Sequence, residues 1–171
     1  MDDSLLKKYT TAPLQIEATI RYKGKSAVEV FDILGNPELI TQWFLLAKEV
    51  KIHPPSPDGL TTFNVEFTFF GDVFEEILEW NPPNRYIYLA KGESFPIKDY
   101  LACIEVHPAN DTAGILQWKI FYSQIEGKHF QKIIPIILPP IIEESFKNLC
   151  PLIGGVEYNI TNHKALIKDE K

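Results

Sequence analysis

Ten consecutive apolar residues stand near the C-terminus of the chain: Ile133-Ile134-Pro135-Ile136-Ile137-Leu138-Pro139-Pro140-Ile141-Ile142. Other parts of a folded protein normally cover a run of this kind. Beyond it, apolar residues spaced by four, three and four positions predict one face of a helix, at Ile142, Phe146, Leu149 and Ile153. Each proline inside a helix costs about 3 kcal/mol. The pattern therefore predicts a final helix that begins near Pro139 or Pro140, after an irregular lead-in.

The sequence before this run alternates apolar and polar residues, which is typical of strands with one buried face. Seven such segments are present, at residues 14–22, 46–53, 61–70, 72–80, 86–90, 99–107 and 115–123. Most are joined by short turns, which favour antiparallel pairing. The first strand is followed instead by two short helices. Ser26 and Glu29 have the spacing of a capping box at the start of one, and Pro37 begins the other.

These patterns predict an α+β protein with the helix-grip fold. In this fold a curved, seven-stranded antiparallel sheet surrounds a long C-terminal helix, and two short helices follow strand 1. A length of 171 residues suits one domain with a sizeable core. We expect a single domain over residues 1–171, with its core at about 14–153, a loose N-terminal arm and a C-terminal tail.

The overall charge narrows the classes of partner. The net charge is −6 and there is no cluster of Lys and Arg, so nucleic acid is not an expected partner. The N-terminus has no signal-peptide pattern, and the ten-residue apolar run is shorter than the ~20 residues of a membrane span. We therefore expect a cytoplasmic protein without a membrane span, and with Cys103 and Cys150 reduced. The histidines lie far apart in sequence, so no metal or other cofactor is predicted. The oligomeric state stays open.

Two segments carry a family resemblance. The first has Gly71, Glu75, Ile77 and Trp80, followed by Pro82-Pro83 and Arg85-Tyr86. The second has Asp99-Tyr100, then Gly114 to Trp118, and a last helix that ends in Leu149 and Leu152. Together they resemble the polyketide cyclase/dehydrase-like branch of the SRPBCC (START-like) superfamily over about residues 14–152. The resemblance implies a deep cavity between the sheet and the C-terminal helix, which holds an apolar or aromatic ligand.

The predicted cavity has the ordinary size of a ligand site, about 300–1,000 Å³. Aromatic residues of the inner sheet face and isoleucines of the apolar run are its expected lining. The ligand-binding candidates are Trp43, Phe63, Phe67, Phe69, Tyr100, Trp118, Tyr122, Ile133, Ile137 and Ile141. The same side chains would equally suit a solid core, and composition alone does not separate the two interpretations.

Three residues are catalytic candidates. If the face of Val73 and Ile77 is the inner one, Glu75 is a carboxyl group in an apolar pocket, suited to proton transfer. If the parity is the opposite, Glu75 faces solvent. The hydroxyl of Tyr100 could orient a ligand carbonyl or simply fill the sheet. His129, at the entry of the last element, is either a general base or a solvated side chain.

Three functions follow from these alternatives. The first is binding of a small hydrophobic or aromatic ligand, such as a lipid or polyketide. The second is an enzyme of cyclase or dehydratase type that uses Glu75, Tyr100 or His129. The third is a protein-interaction module that docks a partner on the Ile/Pro run. Because three prolines deny this run regular helical hydrogen bonds, its residues 133–140 are also predicted to form either a movable gate or a fixed cap over the cavity.

Overall fold

The structure, a computed structural model, describes residues 3–163. Its strands are, in chain order, Leu14–Lys23 (β1), Ala47–Ile52 (β2), Thr62–Phe67 (β3), Gly71–Asn81 (β4), Arg85–Lys91 (β5), Ile97–Lys98 (β6), Tyr100–Asn110 (β7), Ala113–Phe121 (β8), Gln124–Ile125 (β9) and Gly155–Asn162 (β10). Its α-helices are Ala27–Gly35 (α1), Ile40–Trp43 (α2) and Lys128–Ile153 (α3), and short 3-10 helices lie at Asp3–Lys8 and Pro37–Leu39.

One antiparallel sheet contains all the longer strands, in the order β10-β1-β8-β7-β5-β4-β3-β2, and β6 pairs separately with β9. Burial alternates along β1, where Ile16, Ala18, Ile20 and Tyr22 point into the core. These side chains join those of α1, α2 and α3 in one apolar core. The α+β fold class, the single long C-terminal helix and the short helices after β1 are thus confirmed. At the start of α1, Ser26 and Glu29 form the predicted capping box.

The sheet has eight strands where seven were predicted. The additional strand, β10, pairs with β1 from Ile16 opposite Asn162 to Tyr22 opposite Gly155. No side chain of β10 is fully buried, so its place at the edge rests mainly on main-chain hydrogen bonds. Gly154 makes the turn from α3 possible, because it has a left-handed backbone and a Cβ there would collide with the carbonyl oxygen of Lys23.

The last helix begins eleven or twelve residues earlier than the prolines predicted, because α3 runs from Lys128 to Ile153. One buried stripe passes through the proline region without a break, at Ile134, Leu138, Ile142, Ser145, Phe146, Leu149 and Ile153. The prolines leave four carbonyls without an i+4 donor, at residues 131, 135, 136 and 147. Three of those residues are exposed, so water can replace the lost bonds there. Burial of the stripe outweighs the remaining cost.

The N-terminal arm is packed rather than loose over its described part. Leu6 is buried against Ile87, Leu101, Cys103 and Phe121, which form a small second core on the outer face of the sheet. An adjacent polar contact holds the arm, since the Tyr9 hydroxyl donates to a carboxylate oxygen of Glu79 at 2.8 Å. The prediction of a loose arm missed this because residues 1–13 were interpreted from their own polar composition, without the apolar positions on the outer face of the strands.

Three further predictions concern the chain as a whole. Cys103 and Cys150 are both free. Within residues 3–163, no helix is both long and apolar enough to cross a membrane. The cytoplasmic location and the single domain remain predictions, and the part of the predicted C-terminal tail from residue 164 onward lies outside the described residues.

Candidate functional site

A cavity of about 90 Å³ lies between the inner face of the sheet, the α1–α2 region and α3. Its wall is mostly aromatic and aliphatic, as is usual for sites that bind small molecules. The aromatic lining residues are Trp43, Phe44, Phe63, Phe67, Phe70, Trp80, Tyr86, Tyr88, Phe95, Tyr100 and Trp118. All three tryptophans of the chain are among them.

Several aromatic rings at one end of the wall contact one another edge to face. The ring centroids of Trp43 and Trp118 are 5.8 Å apart, and those of Phe44 and Phe67 are 5.5 Å apart. Trp118 also stacks on Phe146 of α3 at 5.9 Å. Contacts of this geometry hold rings in fixed orientations. The wall at this end is therefore tied to α2, to the sheet and to the final helix.

Glu75 brings a carboxyl group to this apolar wall. It alternates with Val73 and Ile77 on the inner face of β4, so the inward parity is the one observed. Protein surrounds the side chain, and its remaining accessible surface borders the cavity. Loss of hydration raises the pKa of Glu75 from 4.5 to about 8, and no nearby charge or hydrogen bond opposes this. Within residues 3–163 the carboxyl group has no ion-pair or hydrogen-bond partner.

Three tyrosines surround the carboxyl group. Ala90 of β5 lies opposite Glu75 of β4 on one side and opposite Tyr100 of β7 on the other. Glu75 and Tyr100 therefore lie in one row across the sheet. Burial, and then the negative charge of Glu75, raise the pKa of Tyr86 and Tyr100. For Tyr88, burial comes first, followed by the charges of Tyr100 and Glu75. All three phenols therefore stay neutral, and they can donate hydrogen bonds at neutral pH.

The phenols differ in their hydrogen bonding. The Tyr86 hydroxyl donates to the carbonyl oxygen of Leu34 at 3.0 Å, which fixes it to the end of α1. Tyr88 and Tyr100 lie side by side, with ring centroids 6.3 Å apart.

Two indole groups in the wall are unsatisfied. The N–H groups of Trp43 and Trp118 are buried and have no hydrogen-bond partner among the described residues. A buried donor without a partner costs free energy. A second row across the sheet contains Trp118, Ile104 and Tyr86. Tyr86 is four residues from Ala90 on β5, so this row is separate from the row that contains Glu75. The cavity therefore has a carboxyl end and an indole end.

No protein-family model and no curated protein matches this sequence. Solved structures do resemble it. A conserved protein from Geobacillus kaustophilus is similar with a TM-score of 0.66 and 19% identity, covering 85% of this chain and 99% of that chain. A START superfamily protein from Mycobacterium smegmatis has a TM-score of 0.62 and 11% identity, covering 83% and 95%. Norcoclaurine synthase from Thalictrum flavum, in complex with dopamine and hydroxybenzaldehyde, has a TM-score of 0.60 and 12% identity, covering 84% and 88%.

The chain has a START-like, helix-grip fold. The resemblance predicted from the sequence is confirmed at this level, and identities below 20% show the fold alone.

The START-like fold brings most of the predicted lining residues together. Seven predicted residues line the cavity: Trp43, Phe63, Phe67, Glu75, Tyr100, Trp118 and Ile141. Tyr122 is buried, but it lies in the core beyond the cavity wall. Ile133 and Ile137 are half-buried on α3 and do not reach the cavity, which α3 lines with Leu138, Ile141 and Ile142 instead.

Phe69 is the clearest error among the predicted lining residues, because 74% of its surface is exposed. The alternation of β3 ends at Phe67, and the chain then turns through residues 68–70 into Gly71, whose φ is +64°. The turn shifts the parity by one residue, so Phe70 is buried and lines the cavity in place of Phe69. His129 lies in the first turn of α3, exposed and outside the cavity wall, so the solvated alternative is the one observed.

The cavity is smaller than the sequence predicted. Its volume is about 90 Å³, below the expected range of about 300–1,000 Å³. The wall also includes the large side chains of Phe70, Tyr88 and Phe95, none of which was predicted as lining. Tyr88 could have been found from the sequence, because it alternates with Tyr86 and Ala90 on the inner face of β5.

Proposed function

We propose that this protein binds a small aromatic or apolar molecule in the cavity between its sheet and α3. The observation that carries this proposal is the unpartnered carboxyl group of Glu75, which faces an otherwise apolar, aromatic cavity. A solid core accounts for the aromatic rings but not for a carboxyl group that only a bound molecule or water can satisfy.

The cavity volume sets the size of the ligand. About 90 Å³ holds several water molecules at the minimum of about 10–15 Å³ each, which favours a molecule with one ring over a long acyl chain. The likeness to norcoclaurine synthase supports this size, because that protein was solved with dopamine and hydroxybenzaldehyde, each built on a single ring. The net charge of −6 gives no electrostatic attraction to nucleic acid, which is not part of this proposal.

Binding of single-ring molecules can be read from the protein's own fluorescence, because every tryptophan lines the cavity. Titration with 2-phenylethanol should shift the tryptophan emission and saturate at one molecule per chain. Native mass spectrometry of freshly purified protein would show whether a ligand of this size is retained from the cell.

A filled-cavity variant provides the decisive control. Ala90→Leu adds three carbon atoms between Glu75 and Tyr100, whereas Ala109→Leu adds the same group at an exposed position. We expect Ala90→Leu to weaken binding at least tenfold and Ala109→Leu to leave it unchanged. If both variants bind as the parent does, the ligand lies elsewhere and the proposal is wrong. Thermal melting of each variant separates lost binding from lost folding.

A second function, proton-transfer catalysis, is favoured by Glu75, which shares a row across the sheet with Tyr100 in the cavity wall. A carboxyl group with a pKa near 8 is suited to general acid–base chemistry at neutral pH. The Tyr100 hydroxyl could stabilise a developing oxyanion. Deuterium exchange at the carbon next to the carbonyl of phenylacetone, followed by NMR, tests this function. Exchange that is no faster than in the Glu75→Gln variant would exclude it.

An interaction module is supported less well than either. Of the residues in the Ile/Pro run, only Ile136 and Pro140 are exposed, and the rest are buried or half-buried in α3. A docking surface needs a wider apolar area than two side chains provide.

A further inference from the structure

Among the residues that the structure describes, the cavity wall has a single charged side chain. Of those lining residues only Glu75 is acidic, and none is Lys, Arg or His. The other polar lining residues are Thr61, the three tyrosines and the indoles of the tryptophans. An anionic ligand, such as the carboxylate of a fatty acid, would find no positive partner here. It would also be repelled by Glu75 whenever that group is ionised.

The aromatic wall, like the carboxylate, favours a positively charged ligand. The faces of aromatic rings are electron-rich and attract cations that lie within about 6 Å of the ring centroid. Around Glu75 the rings of Tyr88 and Tyr100 have centroids 6.3 Å apart, and those of Phe95 and Tyr100 are 5.7 Å apart. A carboxylate in an aromatic wall, with no basic side chain among the described lining residues, is complementary to an organic cation.

We propose that the ligand is a small aromatic amine whose ammonium group pairs with the Glu75 carboxylate beside Tyr88 and Tyr100, and whose ring packs among the aromatic residues of the wall. This inference rests on the proposed function and narrows it to one class of ligand. It accounts for the carboxyl group, which a purely apolar ligand would leave unsatisfied.

The pairing has a consequence for protons. Because burial raises the pKa of Glu75 to about 8, the empty site is mostly protonated at pH 7. When the ammonium form of the amine binds, Glu75 ionises to form the ion pair and its proton passes to solvent, so charge and atoms balance. The titratable groups that face Glu75 are Tyr86 and Tyr88 on β5 and Tyr100 on β7, all neutral. The residues that α3 contributes, Leu138, Ile141 and Ile142, do not titrate.

Three probes of one size test the inference. They are 2-phenylethylamine, 2-phenylethanol and phenylacetate, which present a cation, a neutral group and an anion on the same ring. At pH 8 the amine should bind at least tenfold more tightly than the other two. Its affinity should rise about 50-fold from pH 6 to pH 8, as the ionised fraction of Glu75 grows from about 1% to about 50%. Calorimetry in two buffers of different ionisation enthalpy should show release of about one proton at pH 7.

Two variants distinguish Glu75 from the general negative charge of the protein. Glu75→Gln should abolish the preference for the amine and its pH dependence while still binding 2-phenylethanol. Glu76→Gln removes the same charge one residue away, outside the cavity wall, and should bind the amine as the parent does. Should Glu75→Gln fail to fold, the pH series on the parent protein still decides the question.

The possible failures are distinguishable. Equal, pH-independent affinities for the amine and the alcohol would overturn the amine assignment and leave the proposed aromatic site intact. Tighter binding of phenylacetate would overturn the amine assignment as well. Binding of none of the three probes would overturn both proposals.

Discussion

Replacement of Glu75 by Gln should change how the stability of the protein depends on pH. Glutamine has nearly the same size and can make hydrogen bonds, but it does not ionise. The parent carboxyl group has a pKa of about 8 when folded and 4.5 as the ordinary value expected in the unfolded chain. Between these two values the folded state binds the proton and the unfolded state does not. The parent protein therefore loses stability as the pH rises from 4.5 to 8, and Glu75→Gln avoids this loss.

The size of the effect follows from the two pKa values. One pKa unit corresponds to about 1.4 kcal/mol, so an interval of about 3.5 units gives at most about 5 kcal/mol. At pH 4 the parent and Glu75→Gln should be equally stable apart from a constant offset. At pH 7 the free energy of unfolding of the variant should exceed that of the parent by about 3 kcal/mol more than it does at pH 4. Above pH 8 this additional difference should reach its full value of about 5 kcal/mol. Water that enters the cavity would reduce these values, because it partly solvates the carboxylate.

Urea unfolding at pH 4, 6, 7 and 9, followed by far-UV circular dichroism, measures the difference directly. Glu76→Gln is the matched control, since it removes a neighbouring carboxyl group outside the cavity wall and reports the effect of net charge alone. A constant difference between Glu75→Gln and the parent at all four pH values would refute the reasoning. It would mean that Glu75 is hydrated or paired in solution.

Three further substitutions test the packing. Trp118→Ala should cost about 3 kcal/mol in urea unfolding, the lower end of the range for large aromatic residues, because the ring is buried but already borders a void. Phe69→Ser should change stability by less than about 0.5 kcal/mol, whereas Phe70→Ser should cost several times more; equal effects would contradict the observed turn. Leu6→Ala should expose the N-terminal arm to limited proteolysis at a global cost of about 2 kcal/mol, the lower end for a buried leucine, and unchanged cleavage would show that other contacts hold the arm.

The fold was predictable because its strands alternate and the start of α1 carries a clear signal. The burial of Leu116, Trp118, Ile120 and Tyr122 follows the period of two along β8 and beyond it, and the capping box of α1 is visible in the sequence. The edge strand β10 was missed because an edge strand needs little apolar surface. The start of α3 was misplaced because proline was weighed as a local breaker. Its cost was in fact offset by a buried stripe whose partners lie on other elements.

The site was predictable only in part. Residues within regular strands, such as Phe63 and Glu75, fell on one of two faces, so a single decision about parity placed them. Whether Phe69 or Phe70 points inward depends on where the strand ends and the turn begins, and a shift of one residue exchanges the two. Isoleucines of α3 depend on the rotation of the helix against the sheet, and no local pattern specifies that rotation. The cavity volume depends on all of these at once, and the sequence predicted it least well.

The cost of Glu75 is the strongest physical reason to look for function in this cavity. The free energy of unfolding of natural domains is about 5–15 kcal/mol in total, so a carboxyl group that lowers it by several kcal/mol at neutral pH is strongly destabilising. Glutamine would fit the same space without this penalty, and leucine would add apolar packing to the wall. The aromatic residues around Glu75 need no such explanation, since they also stabilise the fold. A side chain that lowers stability, at a position where other side chains would not, is expected at sites of binding or catalysis. We expect the amine probe to stabilise the parent protein at neutral pH by as much as the Glu75→Gln substitution does. That result would mean that the ligand is the missing partner of this carboxylate.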